Sequence, residues 1–226
     1  MKAGVIVFPG SNCDRDVKTA LSDLGFDASF IWHKENEIPQ GLDLVVLPGG
    51  FSYGDYLRCG AMSANSNIMK SVIEHANKGG KVLGICNGFQ ILTESGLLPG
   101  ALLRNRDIKF ICKDVYLKPE NTSTEFTKNF TGVDAAKISV AHHDGNYFIE
   151  SDGVKSLNDN GQVAFRYSDE NGVVSDATNP NGSIENIAGI FSENKNILGM
   201  MPHPERHCDE DTGGIDGKFL FESLLG

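Results

Sequence analysis

The chain has 226 residues, 40% of them apolar and 22% charged, which is enough apolar material for one large folded unit. Its formal net charge of −10, with no basic stripe to neutralise phosphates, argues against a nucleic-acid-binding surface. No apolar run approaches the ~18 residues of a membrane span, and the run over residues 3–8 is too short for a signal peptide. Five cysteines at positions 13, 59, 86, 112 and 208, with no CxxC pair, fit a reducing cytoplasm better than a disulfide framework or a zinc site.

The first half of the chain alternates. Residues 3–8 read as a buried strand, and 14–24 carry Val17, Ala20, Leu21 and Leu24 on a helical period. Strands follow at 28–32 and 42–47, then a glycine-rich loop, a helix over 63–77 and a strand over 81–85. Continuous apolar strands spaced by helices predict a parallel sheet covered on both faces. After about residue 97 the pattern changes to strands at 102–103, 110–117, 136–140, 163–167, 187–191 and 197–201, more antiparallel in character. Residues 119–131 and 169–185 read as polar loops, and 219–225 as a short amphipathic helix. The expected fold is α/β: an open, mainly parallel sheet with an antiparallel extension in the second half. With no repeat and no long linker, one domain over residues 1–226 is expected.

Each loop with unusual composition follows a strand at its C-terminal end, where open α/β sheets build their sites. The strand at 81–85 runs into Cys86, flanked by Gly84 and Gly88, and a helix-forming segment starts at once. That pattern reads as a nucleophile elbow, with helix N–H groups that favour a thiolate and can bind an oxyanion. Taken alone, a buried structural thiol remains the alternative. A cysteine nucleophile also needs a base and a group to orient it. His203 and Glu205, two residues apart and each preceded by a proline, supply both if the segment is extended. A solvated His-Pro turn is the alternative for that motif in isolation.

Pro48-Gly49-Gly50-Phe51 lacks the lysine and spacing of a phosphate loop. Beside the elbow, the N–H groups of Gly50 and Asn87 become candidates for an oxyanion hole. Gln90, one helical turn beyond Cys86, could hold the amino-acid end of a substrate, while Phe51 either walls the pocket or fills core. His142 and His143 are adjacent, so on a strand they face opposite ways and make a poor metal pair. The run from His207 through Cys208, Asp209, Glu210 and Asp211 reads as a solvated acidic loop, and no metal is expected. Asp14, Arg15, Tyr53, Asp55 and Arg58 are candidates for a partner surface.

Together the elbow and the PHPE segment resemble the class I, triad-type glutamine amidotransferases, with a flavodoxin-like fold. The stretches FSYGDYLR (51–58) and PGSNCDRD (9–16) are similar to those of the glutaminase subunits of phosphoribosylformylglycinamidine synthases. The resemblance spans essentially the whole chain. It implies Cys86, His203 and Glu205 as catalytic residues and Gly50 and Asn87 as oxyanion donors, with Gly49, Phe51 and Gln90 binding glutamine. It implies no cofactor in this chain, with ATP and Mg on a large synthetase subunit and a further small accessory subunit. AHHDGNY at 141–147 departs from the Gly-Glu pair of many relatives, which leaves that loop without an assigned role. Two rival readings are a cysteine peptidase sharing the elbow and a non-catalytic binding subunit.

Overall fold

The structure, a computed structural model, describes residues 1–56 and 58–225; Leu57, inside the FSYGDYLR stretch, and Gly226 lie outside the described residues. The chain runs β1 (Lys2–Val7), α1 (Cys13–Asp23), β2 (Asp27–Trp32), β3 (Leu44–Leu47), α2 (Cys59–Ala64), α3 (Asn67–Asn77), β4 (Lys81–Ile85) and α4 (Asn87–Glu94). It continues through β5 (Ala101–Leu103), β6 (Ile111–Pro119), β7 (Ala136–His142), β8 (Asn146–Phe148) and α5 (Ser151–Asp159). β9 (Val163–Ser168), β10 (Ile187–Phe191), β11 (Ile197–Met200) and α6 (Lys218–Leu225) complete it.

Among the described residues the main sheet has nine strands in the order β2-β1-β3-β4-β11-β10-β9-β6-β7. The pairings from β2 to β11 are all parallel, and those from β11 to β7 all antiparallel. The parallel part is the flavodoxin order with β11 as its fifth strand, so the expected architecture holds with one exception. Residues 197–200, expected among the antiparallel strands, pair parallel with β4 and antiparallel only with β10. β1 leads to β2 in one direction along the sheet, and β3 leads to β4 in the other. Right-handed crossovers therefore put α1 and α3 on opposite faces. β3 is buried along its whole length, and so is β11, as strands covered on both sides must be.

Two sequence expectations change. The helix expected over 63–77 is two helices, because Ser66 is extended (ψ 149°) between them and the Asn65 amide turns back to the Ala61 carbonyl at 2.8 Å. Short polar side chains competing for backbone groups break the helix there. The second half also contains α5, which no period in the sequence marks: only Val154 and Leu157 are buried in it.

Three features aim the fold at one point. The strand order reverses between β1 and β3, so the loops leaving their C-terminal ends open a crevice. Gly84 of β4 and Gly199 of β11 pair in register and form a flat pad under α4. A Cβ on Gly199 would fall 2.6 Å from Leu98 Cδ1, and one on Gly84 would fall 2.7 Å from the Gly88 carbonyl oxygen. Finally, the register shifts between β9 and β10 at Ile187–Ile190, an irregularity that increases local twist. The far edge strand β7 also bridges to the segment just past β11, where the His203 N–H donates to the Ser139 carbonyl at 2.8 Å.

Candidate active site

Cys86 leaves β4 at the point where its N–H donates to the Met200 carbonyl of β11 (2.8 Å). Its backbone sits at φ 51°, ψ −106°, a sparsely populated region for a residue with a Cβ, at a cost of roughly 1–3 kcal/mol. The turn is as sharp as the flanking glycines predict, and Cys86 caps the N-terminus of α4. The side chain is buried, and its sulfur lies 3.8 Å from the Ala141 carbonyl of β7. Burial pushes the thiol well above its ordinary range, and Cys13, Asp55 and Glu205 add to that; the Asn87 N–H on the sulfur works the other way. The helix terminus alone therefore does not yield a resting thiolate. A base is required.

His203 and Glu205 provide the matching geometry. Nδ1 of His203 and Oε1 of Glu205 are 2.7 Å apart, with both side chains buried. They meet in a turn and not in the extended chain that the spacing predicts. Pro204 opens a 3-10 turn over Pro204–Arg206, with His203 as its cap, and the tight turn swings Glu205 back under the ring. The carboxylate holds the proton on Nδ1 and leaves Nε2 with a free lone pair. Nε2 is buried, and it meets no partner among the described residues. Gly49 occupies the space between base and sulfur: a Cβ there would lie 2.8 Å from His203 Cε1 and 2.9 Å from Cys86 Cβ.

The Gly49–Gly50 segment is clamped from behind by the β1–α1 turn. Ser11 Oγ donates to the Gly49 carbonyl at 2.8 Å, and the Asn12 N–H to the Gly50 carbonyl at 3.0 Å. Gly50 has φ +88°, and a Cβ on it would fall 2.7 Å from the Cys13 nitrogen and 2.8 Å from its sulfur. With both carbonyls held outward, the buried Gly50 N–H has no acceptor among the described residues and remains open to a ligand oxygen. Cys13 itself was unread in the sequence. Its sulfur, a His203 nitrogen and a Glu205 oxygen all lie within 4.8 Å of one another. That spacing suits a soft cation, but Arg206 Nη2 already donates to the Cys13 sulfur at 3.0 Å, and a fixed positive charge there opposes a metal. Burial pushes the Cys13 thiol up to about 12, with Glu205 adding to the rise.

Beside the sulfur is a cleft of about 10 Å³, lined by Gly50, Phe51, Asp55, Cys86, Asn87, Gln90, Ala141 and His142. That holds about one water molecule, so the cleft must widen to admit an amino acid. It adjoins an open groove of about 600 Å³, with which it shares Asp55 and Gln90. A further groove of about 880 Å³, between residues 36–42 and 66–78, shares no residue with this site. Gln90 is buried and engaged at both ends: Oε1 accepts from Asn87 Nδ2 (2.9 Å) and the Cys59 thiol (3.1 Å), and Nε2 donates to the Asp144 carbonyl (2.8 Å). Phe51 walls the cleft, is half exposed and stacks on Phe110 at 6.1 Å, so it fills no core. His142 turns inward and His143 outward, as adjacent strand residues should. Nδ1 of His142 meets Asn105 Oδ1 at 3.0 Å, and burial depresses its pKa to about 3.

The five residues read as a partner surface divide. Arg15 and Arg58 are exposed, and Arg58 forms a bidentate pair with Glu94 (2.7 and 2.8 Å). Asp14 is buried in the first turn of α1. Tyr53 turns inward to His33 Nδ1 at 3.3 Å, and Asp55 lines the cleft. Of the acidic run, His207 leaves its neighbours and faces Asp114 Oδ1 at 3.4 Å. No helix among the described residues is long and apolar enough to cross a membrane.

Residues 1–214 match the family described as the CobB/CobQ-like glutamine amidotransferase domain. The chain is 55% identical to a phosphoribosylformylglycinamidine synthase subunit PurQ of Ruegeria sp. strain TM1040, over all of this chain and 98% of the relative. It is 53% identical to the subunit of that name from Synechocystis, over 97% of this chain and 98% of the relative. A chain in the structure of PurLQS from Thermotoga maritima superposes with a TM-score of 0.87 at 45% identity, covering 99% of this chain and 97% of that one.

Proposed function

We propose that this chain, which belongs to the CobB/CobQ-like glutamine amidotransferase family, is the glutaminase subunit of a phosphoribosylformylglycinamidine synthase. It hydrolyses glutamine and supplies the ammonia to an ATP-dependent partner, which converts formylglycinamide ribonucleotide to formylglycinamidine ribonucleotide in purine biosynthesis. One observation carries the reading: a buried His203–Glu205 pair beside a strained Cys86, in a chain 55% identical over its whole length to such a subunit.

The chemistry starts at Cys86, where burial opposes the thiolate and makes a neighbouring base necessary for attack. His203 Nε2 takes the Cys86 proton as the sulfur attacks the side-chain amide carbon of glutamine. The carbonyl oxygen becomes an oxyanion and is held by the N–H groups of Gly50 and Asn87. His203 returns its proton to the leaving nitrogen, ammonia departs, and a γ-glutamyl thioester remains. Water, deprotonated by the same nitrogen, then hydrolyses the thioester to glutamate and frees the thiol. Glu205 holds the imidazole in one tautomer and offsets the charge it gains. Gly49 leaves room for base and sulfur to meet; Phe51 and Gln90 bound the glutamine cleft. No step calls for a metal or cofactor in this chain; ATP and Mg act on the synthetase subunit.

The chain works as one cytoplasmic domain within a complex containing the large synthetase and a small accessory subunit. Its near-closed cleft gives a reason: docking widens the site, so glutamine is not spent without an acceptor. The test mixes the chain with its synthetase subunit and follows product formation from glutamine or from ammonium salt. Cys86→Ala should abolish glutamine-dependent synthesis and leave ammonium-dependent synthesis intact. Continued use of glutamine by the mutant would overturn the assignment.

A further inference from the structure

Glutamine carries a cationic α-ammonium group a few bonds from the amide that reacts. Asp55 is the one acidic side chain in the lining of the cleft beside Cys86. Its Oδ1 accepts from Asn87 Nδ2 at 3.0 Å and lies 3.1 Å from the Cys59 sulfur, whose one hydrogen it shares with Gln90 Oε1. One carboxylate oxygen is thus anchored and the other is left for a ligand. Asn87 and Gln90 in turn hold each other at 2.9 Å, which ties this carboxylate to the first turn of α4 behind the nucleophile. The cations nearest along the groove turn elsewhere: Arg58 pairs with Glu94 at 2.7 Å, and Arg104 approaches Asp144 at 3.9 Å. Among the described residues, no Lys, Arg or His neutralises Asp55.

Two further observations separate a ligand-reading role from a structural one. Asp55 has φ +56°, a left-handed conformation for a residue with a Cβ. Such strain persists where surrounding structure holds it, and at binding sites more than elsewhere. Asp55 also stands where the cleft meets the open groove. An amino acid whose side-chain amide lies at Cys86 would place its backbone end there.

We infer that Asp55 recognises the α-ammonium of glutamine and so sets the substrate specificity of this site. The inference rests on the glutaminase reading above. It is tested by the rate at which Cys86 is alkylated by two chloroketones. One carries glutamine's amino-acid head, and the other has hydrogen in place of its α-ammonium; iodoacetamide serves as the probe of bare thiol reactivity. In the wild-type chain the first reagent should be preferred. Asp55→Asn keeps the oxygen that Asn87 and Cys59 hold but removes the charge. It should lower that preference about 10- to 100-fold, as expected for loss of a charged hydrogen bond. Iodoacetamide should alkylate Cys86 at least as fast as in the wild type, since beyond burial the Asp55 charge also raises the thiol's pKa. In the wild type, acetylating the amino group of the first reagent should cost as much as deleting it. An unchanged preference in Asp55→Asn, or an acetylated reagent as good as the free amine, would overturn the inference. If iodoacetamide alkylated wild-type Cys86 but neither chloroketone did, the glutaminase reading would fail with it.

Discussion

The two sides of the site are built differently. On one side, Cys86 and His203 leave neighbouring strands whose register is locked from Ile197↔Val82 to Met200↔Ile85, and Cys86, His203 and Glu205 are all buried. On the other, Phe51, Tyr53, Asp55 and Arg58 all have positive φ within eight residues, and Phe51 and Arg58 are exposed. The chemical side gains precision from a packed sheet, where a shift would cost many contacts at once. The loop side carries its strain on a few hydrogen bonds, so of the two walls of the 10 Å³ cleft it is the less firmly held. Rigid chemistry beside a strained entrance allows access to be controlled without disturbing the reacting atoms.

The largest effect should come from breaking the rigid side. Glu205→Gln keeps the shape of a side chain that is fully buried yet allows the His203 ring to hold its proton on Nε2. Glutamine turnover should fall about 10²- to 10⁴-fold, with little change in KM. A variant as active as wild type would remove the orienting role from Glu205.

Gly50→Ala strikes the join between the two sides. At φ +88° an alanine is strained, and its Cβ would press on the Cys13 backbone nitrogen at 2.7 Å. The segment would shift and carry its N–H away from the oxyanion. Losing one such donor typically costs about 10²- to 10³-fold in kcat. Since the thiol and its base are untouched, iodoacetamide should still alkylate Cys86 at close to the wild-type rate. Equal losses in both assays would show that the glycine segment supports the nucleophile and not the oxyanion.

How much was legible in the sequence follows the same division. The elbow at Cys86 and the His203–Glu205 pair are local patterns, a strand meeting a helix and two residues in one turn, and local patterns survive in a linear reading. Even there the mechanism differed, since a 3-10 turn replaced the extended segment. Cys13 and Cys59 were opaque because their partners are distant in sequence: Arg206 is 193 residues from Cys13, and Gln90 is 31 from Cys59. Asp55 reads as a partner-surface candidate because a charged residue in a loop normally faces solvent, and the structure puts it in the lining of the cleft as well. Its inward turn depends on a positive φ that no periodicity prints. The parallel character of the first half was legible because β3 and β4 are continuous apolar runs. The place of β11 as a further parallel strand was not, since residues 197–201 read with the antiparallel group, and neither was the bridge from β7 to His203.

The smallest expected effect concerns stability and tests whether the wall behind the rigid side is as tightly packed as its neighbours. His142 is buried and neutral, with its pKa depressed from 6.5 to about 3 by burial and then by His203. The folded chain therefore binds this proton less readily than the unfolded chain does. Its contribution to stability is present above pH 6.5 and is lost as pH falls from there toward 3. At pH 5 the loss amounts to about 2 kcal/mol from this group alone, and the lowered values of His33, His75 and His207 act in the same direction. Urea unfolding of the wild type should show a midpoint that drops between pH 7 and pH 5. His142→Asn, which can still meet Asn105, should flatten that drop by about 2 kcal/mol. A slope unaltered by the substitution would mean that His142 takes up its proton without unfolding, and that the wall formed by β7 yields as easily as the loop opposite it.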